Sequence, residues 1–333
     1  MFKNKYLSVF LILCLLGACF LTACSGGGET ETAAWPEEGT QIEFSVEYSA
    51  GGGYDTVSRG LAPYIEKYLP GTTVSVVNMP GADGAIAAQY LYDSEPNGER
   101  IQILSVPGLV VRQLLTEESY DLTKYTLLGQ VSAAYYVTAV AADSEFKTID
   151  DLLNAGRQIK VGTAGVADTS AITAILAYSG LGIDFDLVPH EGINEAALSA
   201  LRGDVDVVHG PISTLKPMID EGQIRVLLVY TEERDPISPD TPTCSEIGHP
   251  ELTGMTELKR IIAAAPDTPD EIKGPLTDAI WQAMNDPEFI AWGEETGNIV
   301  EPVSAEDTTE VMNSLFDLMS DNLELLQKYI TVE

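Results

Sequence analysis

From about residue 40 the chain alternates short apolar runs with stretches whose apolar residues recur every three or four positions. The runs read as strands and the stretches as helices. Strands are predicted at Gln41–Tyr48, Thr73–Asn78, Arg100–Val106, Tyr135–Ala141, Gln158–Thr163, Asp186–Pro189, Val205–Val208, Arg225–Tyr230 and Leu258–Ala265. Helices are predicted at Thr56–Leu69, Gly84–Asp93, Thr148–Ala155, Asp168–Ser179 and Asn194–Arg202, with Thr277–Asn285 and Asp307–Lys328 the clearest pieces of a helical tail. In the first helix Val57, Leu61, Ile65 and Tyr68/Leu69 share a face. Pro63 is expected to kink that helix or divide it in two. Strands alternating with helices predict an α/β architecture with largely parallel sheets.

The first residues follow another pattern. Lys3 and Lys5 precede an apolar stretch from Tyr6 to Leu16, with small residues and cysteines after it, as in an export signal. Leu21-Thr22-Ala23-Cys24 fits a lipoprotein signal over residues 1–23, with Cys24 acylated. Leu16-Gly17-Ala18-Cys19 fits the same pattern. Cys24 is preferred because a polar stretch begins directly after it, and residues 24–39 then read as a flexible tether. An uncleaved anchor is the alternative, since the apolar run to Ala23 is borderline for a span. Of the four cysteines only Cys244 lies in the body, so no disulfide framework can form within one chain. Cys244 is either a reactive thiol or a buried structural cysteine, and the second is preferred.

Composition narrows the function classes. The 333 residues suit two domains of ordinary size, and 45% hydrophobic residues exclude disorder throughout. A mean hydropathy of +0.05 is too low for a multi-span membrane protein. Acids outnumber bases 51 to 18, a net charge of −33. Removal of residues 1–23 takes away Lys3 and Lys5, leaving 16 bases against 51 acids, or −35. Nucleic acid is excluded as a partner, because phosphate neutralisation needs clustered Lys and Arg. Small anions gain nothing from such a chain at long range. They would need local amides, dipoles, and Arg59 or Arg112, although Arg59 is expected to pair with surface acids.

The strongest local signal is Tyr48-Ser49-Ala50-Gly51-Gly52-Gly53-Tyr54-Asp55, between a strand and a helix. Three glycines let the backbone approach a ligand closely, and a helix N-terminus there suits a carboxylate. A tight turn without a ligand fits the same residues equally well, with Asp55 as N-cap. Asn78-Met79-Pro80-Gly81-Ala82-Asp83-Gly84 reads first as a structural turn. Gly162 to Ser170 repeats the strand–glycine loop–helix arrangement in the second half. Two such loops suggest a cleft whose walls each present a helix N-terminus. Asp168 and Thr169 then either cap the helix or contact a ligand. The motifs G-x-S-x-G, G-x-x-x-x-G-K-[ST], H-E-x-x-H and C-x-x-C are all missing, and the three histidines have no metal-ligand spacing. No enzyme activity, cofactor or metal is therefore expected. His209, at a strand end, is carried as a ligand-binding candidate, with a structural role as its alternative.

Several segments then stand together in one order: Ser49-Ala50-Gly51-Gly52-Gly53-Tyr54-Asp55 with Arg59, Asn78-Met79-Pro80-Gly81-Ala82, Glu95-Pro96-Asn97-Gly98, Gly203-Asp204-Val205-Asp206, Glu221 to Leu227, Pro239 to Gly248, and Ala265 to Glu271. Across residues 40–330 this set resembles the extracytoplasmic solute-binding proteins of tripartite tricarboxylate transporters, the TctC/Bug family. The resemblance implies a two-lobed, type II periplasmic-binding-protein fold of the Venus flytrap kind, with two hinge crossings. Lobe one would comprise 40–133 and 262–333, and lobe two 134–261. The crossings would be strands near Val131–Ala141 and Thr256–Ala265. It further implies that Ser49, Gly52, Gly53, Tyr54, Asp55, Ser105 and Val106 hold one carboxylate. Ala164, Gly165, Asp168 and Thr169 would contact the ligand's other end. A monomer that hands its ligand to a membrane permease with large and small subunits is the implied role.

The chain departs from that pattern in lobe two. Asp168-Thr169-Ser170-Ala171 stands where the family often places a histidine, Pro189-His190-Glu191-Gly192 replaces Pro-Tyr-Lys/Arg-Gly, and Val208-His209-Gly210-Pro211 is unusual. An amino acid, a hydroxy acid, a monocarboxylate and a tricarboxylate all stay open as ligands. The competing readings are a ligand-sensing lipoprotein for a membrane receptor and an extracellular hydrolase using Asp55 or Asp168.

Overall fold

The computed structural model describes residues 35–330. The expected signal, Cys19, the expected lipidation site Cys24 and the expected tether up to residue 34 lie outside the described residues. Gly39 N already donates to Gly71 O at 2.7 Å, so the backbone joins the body before residue 40.

The strands are β1 (Thr40–Val46), β2 (Thr72–Asn78), β3 (Arg100–Val106), β4 (Thr126–Ala141), β5 (Ile159–Thr163), β6 (Phe185–Pro189), β7 (Val207–Pro211), β8 (Ile224–Val229) and β9 (Glu257–Ala264). The helices that matter most for the site are α1 (Gly53–Tyr68), α2 (Ala85–Tyr92), α3 (Gly108–Leu115), α4 (Ile149–Leu153), α5 (Thr169–Gly180), α6 (Ile193–Arg202) and α7 (Ile212–Asp220). Five further helices, α8 (Leu252–Met255), α9 (Asp270–Met284), α10 (Pro287–Thr296), α11 (Ala305–Asp321) and α12 (Leu323–Leu326), complete the described part.

The strands join one sheet in the order β2-β1-β3-β9-β4-β7-β5-β6, with β8 also on β4. The expected parallel character holds only at the flanks, where β1 pairs with β2 and β3, and β5 with β6 and β7. Every pairing of β4 and β9 is antiparallel. The reason lies in β4, which changes partners along its length. Thr126 to Tyr135 pair with β9, whereas Tyr136 to Ala141 pair with β7 and β8. One strand thereby joins a β1–β3 half to a β5–β8 half. The fold is a mixed α/β sheet with helices packed on it.

Apolar side chains hold the first half: Ile42, Phe44, Val57, Leu61, Ile65, Ile101 and Ile103 are at most 1% exposed. Burial of each such side chain contributes about 2 kcal/mol. The second half has its own cluster around Val137, Ala139, Ala196, Val208, Ile212, Leu215 and Val229. Contrary to the two-piece expectation, α1 runs unbroken through Pro63. Pro63 is exposed while Leu61 and Ile65 are buried, so the carbonyl freed by the missing N–H faces the solvent side.

Candidate functional site

A cavity of about 300 Å³ opens where β4 changes partners. Its wall from the first half is Tyr48 to Ala50 and Gly52 to Tyr54, with Leu258 and Arg260 of β9. Its wall from the second half is Ala164, Asp168 and Glu191 to Glu195, with Pro211 and Thr214. Tyr136, at the crossing point of β4, lies between them.

The glycine loop is built as its sequence suggests. Gly51 takes φ +83°, a conformation that favours glycine. Gly52 is the N-cap of α1, so the N–H groups of Gly53 and Tyr54 have no acceptor within the helix. Asp55 braces the loop from behind. Its carboxylate accepts from Gly51 N at 2.9 Å and Asn78 Nδ2 at 3.0 Å, and pairs with Arg59 at 2.9 Å. These bonds hold the Asp55 carboxyl below its ordinary range despite the opposing effect of burial. Asp55 lies outside the cavity lining, and Arg59 is held by Asp55 rather than by a ligand.

Arg260 is the residue that the sequence reading missed. It sits on β9 opposite Ser105 of β3 and Ser132 of β4 and is 1% exposed. Nη1 donates to Ser132 Oγ at 3.1 Å, and the guanidinium lies 4.9 Å from the centre of the Tyr54 ring. Nε has no partner. Nη2 is packed so close to Gly53 that a Cβ there would lie 2.9 Å from it. Among the described arginines, Arg59, Arg100, Arg112, Arg157, Arg202 and Arg234 each pair with an acid. Arg225 and Arg260 do not; Arg260 is the one of these two that lines the cavity, and burial alone pulls its pKa down. A buried cation without a counter-charge costs several kcal/mol. The cation–π contact and one hydrogen bond offset only part of that cost. What remains is a cationic fork beside free helix N–H groups in a cavity, an arrangement suited to a carboxylate. The signal was present in the strand pattern: Leu258, Arg260 and Ile262 share one face, which places an arginine on the inward phase.

The remaining expected residues divide into two groups. Ser49, Gly52, Gly53, Tyr54, Ala164 and Asp168 line the cavity. Val106, Gly165, Thr169, Ser105 and His209 do not. Ser105 is instead a buried hub. Its Oγ meets Tyr54 Oη at 2.8 Å, Thr169 Oγ1 at 3.0 Å and Tyr48 Oη at 3.1 Å. Thr169 Oγ1 also accepts from Gly108 N at 3.0 Å. These bonds tie β3 and α3 of the first half to α5 of the second. Gly165 packs against the Asp83 carboxylate, a second cross-contact at which a side chain would overlap. His209 is fully buried, stacked on Tyr136 at 5.0 Å and edged by Tyr178 and Tyr230, with Nε2 3.2 Å from Thr173 Oγ1. Burial pushes its pKa down to about 3, so it is a neutral support beneath Tyr136.

Acids mark the second wall. Asp168 caps α5, its Oδ1 accepting from Ser170 Oγ at 2.7 Å and Ala171 N at 3.0 Å. Burial raises its pKa to about 6. Ala164 N donates to Ser170 Oγ at 2.7 Å and is therefore occupied. Glu195, in the first turn of α6, accepts from Glu191 N at 3.0 Å. Behind the first wall Glu47 is fully buried with Oε1 unpartnered, and burial raises its pKa to about 8. No metal-ligating cluster occurs among the described residues.

The sequence matches the family model described as tripartite tricarboxylate transporter family receptor over residues 57–327. A curated relative from Agrobacterium vitis, a UPF0065 protein in the TAR-I ttuE-ttuC' intergenic region, is 27% identical over 275 residues, covering 80% of this chain and 78% of its own. Among solved structures, the periplasmic binding protein BugD superposes with a TM-score of 0.79 at 21% identity, covering 89% of this chain and all of its own. MatC from Rhodopseudomonas palustris, with bound malate, superposes with a TM-score of 0.74 at 21% identity, covering 85% and 98%.

Proposed function

We propose, for a chain that belongs to the tripartite tricarboxylate transporter receptor family, that its cleft holds one carboxylate of a small ligand on Arg260 and the glycine loop and passes that ligand to a membrane permease. Members of the family are binding proteins rather than enzymes. The observation that carries the reading is the buried, acid-free guanidinium of Arg260 beside the start of α1. MatC, a relative in fold, has bound malate, a small carboxylate.

Capture works by closure. The lobes are 40–133 with 262–333, and 134–261, joined by β4 and by the chain entering and leaving β9. Each lobe supplies part of the cavity wall, so a ligand that touches both favours the closed arrangement. The Ser105–Thr169 and Asp83–Gly165 contacts lie beside the cavity and add to that preference. The receptor works outside the cytoplasm as a monomer, held to the membrane by a lipid on Cys24. Among the described residues no helix is long and apolar enough to cross a membrane. The permease partner has large and small subunits.

A thermal-shift screen against mono-, di- and tricarboxylates, amino acids and neutral sugars tests the reading. A ligand bound only by the native state raises the melting temperature. Selective shifts with carboxylate-bearing compounds are expected. Shifts with neutral sugars alone would refute it.

A further inference from the structure

The two walls of the cavity carry opposite charge. Among the described residues Arg260 is the only basic one lining it. The lining acids are Asp168, Glu191 and Glu195, all from the second wall. None of the three pairs with a basic side chain among the described residues. The second wall does contain two helix N-termini, those of α5 and α6, which by themselves would favour an anion. Asp168 caps α5; α6 has no side-chain cap, but the Glu195 carboxylate stands in its first turn, bound to Glu191 N, and puts a negative charge there. The Ala164 amide, another donor on that wall, is taken by Ser170. A second ligand carboxylate would therefore meet three carboxylates, the buried Asp168 among them, with no cation to separate them, and like charges at close range repel.

We infer that the ligand is a zwitterion: a carboxylate seated on Arg260 and an ammonium group facing the Asp168, Glu191 and Glu195 wall. This rests on the carboxylate reading above and adds the chemistry of the ligand's other end. A primary ammonium offers three N–H donors to carboxylates that lack cationic partners. At about 300 Å³ the cavity suits a small molecule of amino-acid size.

The test is calorimetric titration of the full chain in detergent micelles. The probes are the α-amino acids and short ω-amino acids, each set beside the monocarboxylate and dicarboxylate of the same chain length. The tightest ligand should be a zwitterion, by about tenfold or more over both of its matched acids. The exposed pair Glu191→Gln with Glu195→Gln, which leaves the core intact, should weaken that zwitterion about tenfold and change its matched monocarboxylate by no more than about twofold. A dicarboxylate or monocarboxylate as the tightest ligand overturns the zwitterion inference and leaves the carboxylate reading standing. An unchanged zwitterion affinity in the double variant also overturns it. Binding of none of these probes overturns the zwitterion inference, and the carboxylate reading falls with it if tricarboxylates also fail to bind.

Discussion

Arg157 and Arg260 show how differently one chain treats the same side chain. Arg157 is half-exposed at the edge of the second half. It forms a two-pronged pair with Asp206 at 2.8 and 2.9 Å and a further contact with Glu145 at 2.8 Å. Its pKa is raised accordingly, with the Asp206 bonds the largest cause. Arg260 is buried, surrounded by serine, tyrosine and glycine, and its pKa is lowered. In a chain with 51 acids and 18 bases an exposed cation finds a partner easily. An arginine kept clear of all of them must be shielded by its neighbours, and here the shielding groups also line a cavity. The difference teaches that net charge describes the surface, while the site depends on which charge the fold isolates.

Four variants bear on this contrast, and Arg260→Gln should have the largest effect. Carboxylate affinity should fall about 100-fold, the usual scale for losing a buried charge-assisted contact. The melting temperature should hold or rise, since an unpaired buried cation has been removed. A variant that binds normally would put the site elsewhere. Next, Gly53→Val places a side chain against Arg260 Nη2 and Thr214 Oγ1. Affinity should fall about tenfold or more while far-UV dichroism stays the same. An unaffected affinity would separate the glycine loop from the ligand.

Glu47 extends the contrast to a buried acid without a cation. Its folded pKa of about 8 lies above its ordinary 4.5, so folding favours the protonated form. That contribution is present below pH 4.5 and is lost as pH rises through about 8. His209 acts in the other direction: burial lowers its pKa from 6.5 to about 3, so its contribution grows as pH rises across that range. The comparison of parent with Glu47→Gln removes the histidine effect. The variant should gain in melting temperature relative to the parent as pH goes from 4.5 to 8. A gap that does not vary with pH would mean that Glu47 is not isolated. The smallest effect belongs to Arg157→Gln. Loss of an exposed pair should cost at most about 1 kcal/mol and leave ligand binding unchanged.

Much of the frame was legible in the chain. Arg100–Val106 was bounded to the residue by its apolar run, and the glycine loop was placed correctly between β1 and α1. The first half of β4 escaped, because it is buried on both faces and Gly129, Gln130 and Ser132 break any alternation. Helix α7 carries Pro217 and so did not read as a helix. The antiparallel pairings of β4 and β9 depend on where distant strands meet, which no local pattern encodes. The first loop's glycines were recognisable because their chemistry is local. The inward position of Arg260 could be read from its strand, but its role could not, because that comes from the absence of acids around it in space. Thr169 and Asp55 were read as ligand contacts, yet their polar atoms are taken by Ser105, Gly108, Gly51 and Asn78.

The most direct test is a crystal structure of the protein with a small carboxylate-bearing ligand bound. The account predicts a ligand carboxylate about 2.7–2.9 Å from a guanidinium nitrogen of Arg260, beside the first-turn N–H groups of the helix that begins at Gly53. A ligand whose carboxylate is held elsewhere, with the Arg260 guanidinium untouched, would contradict it.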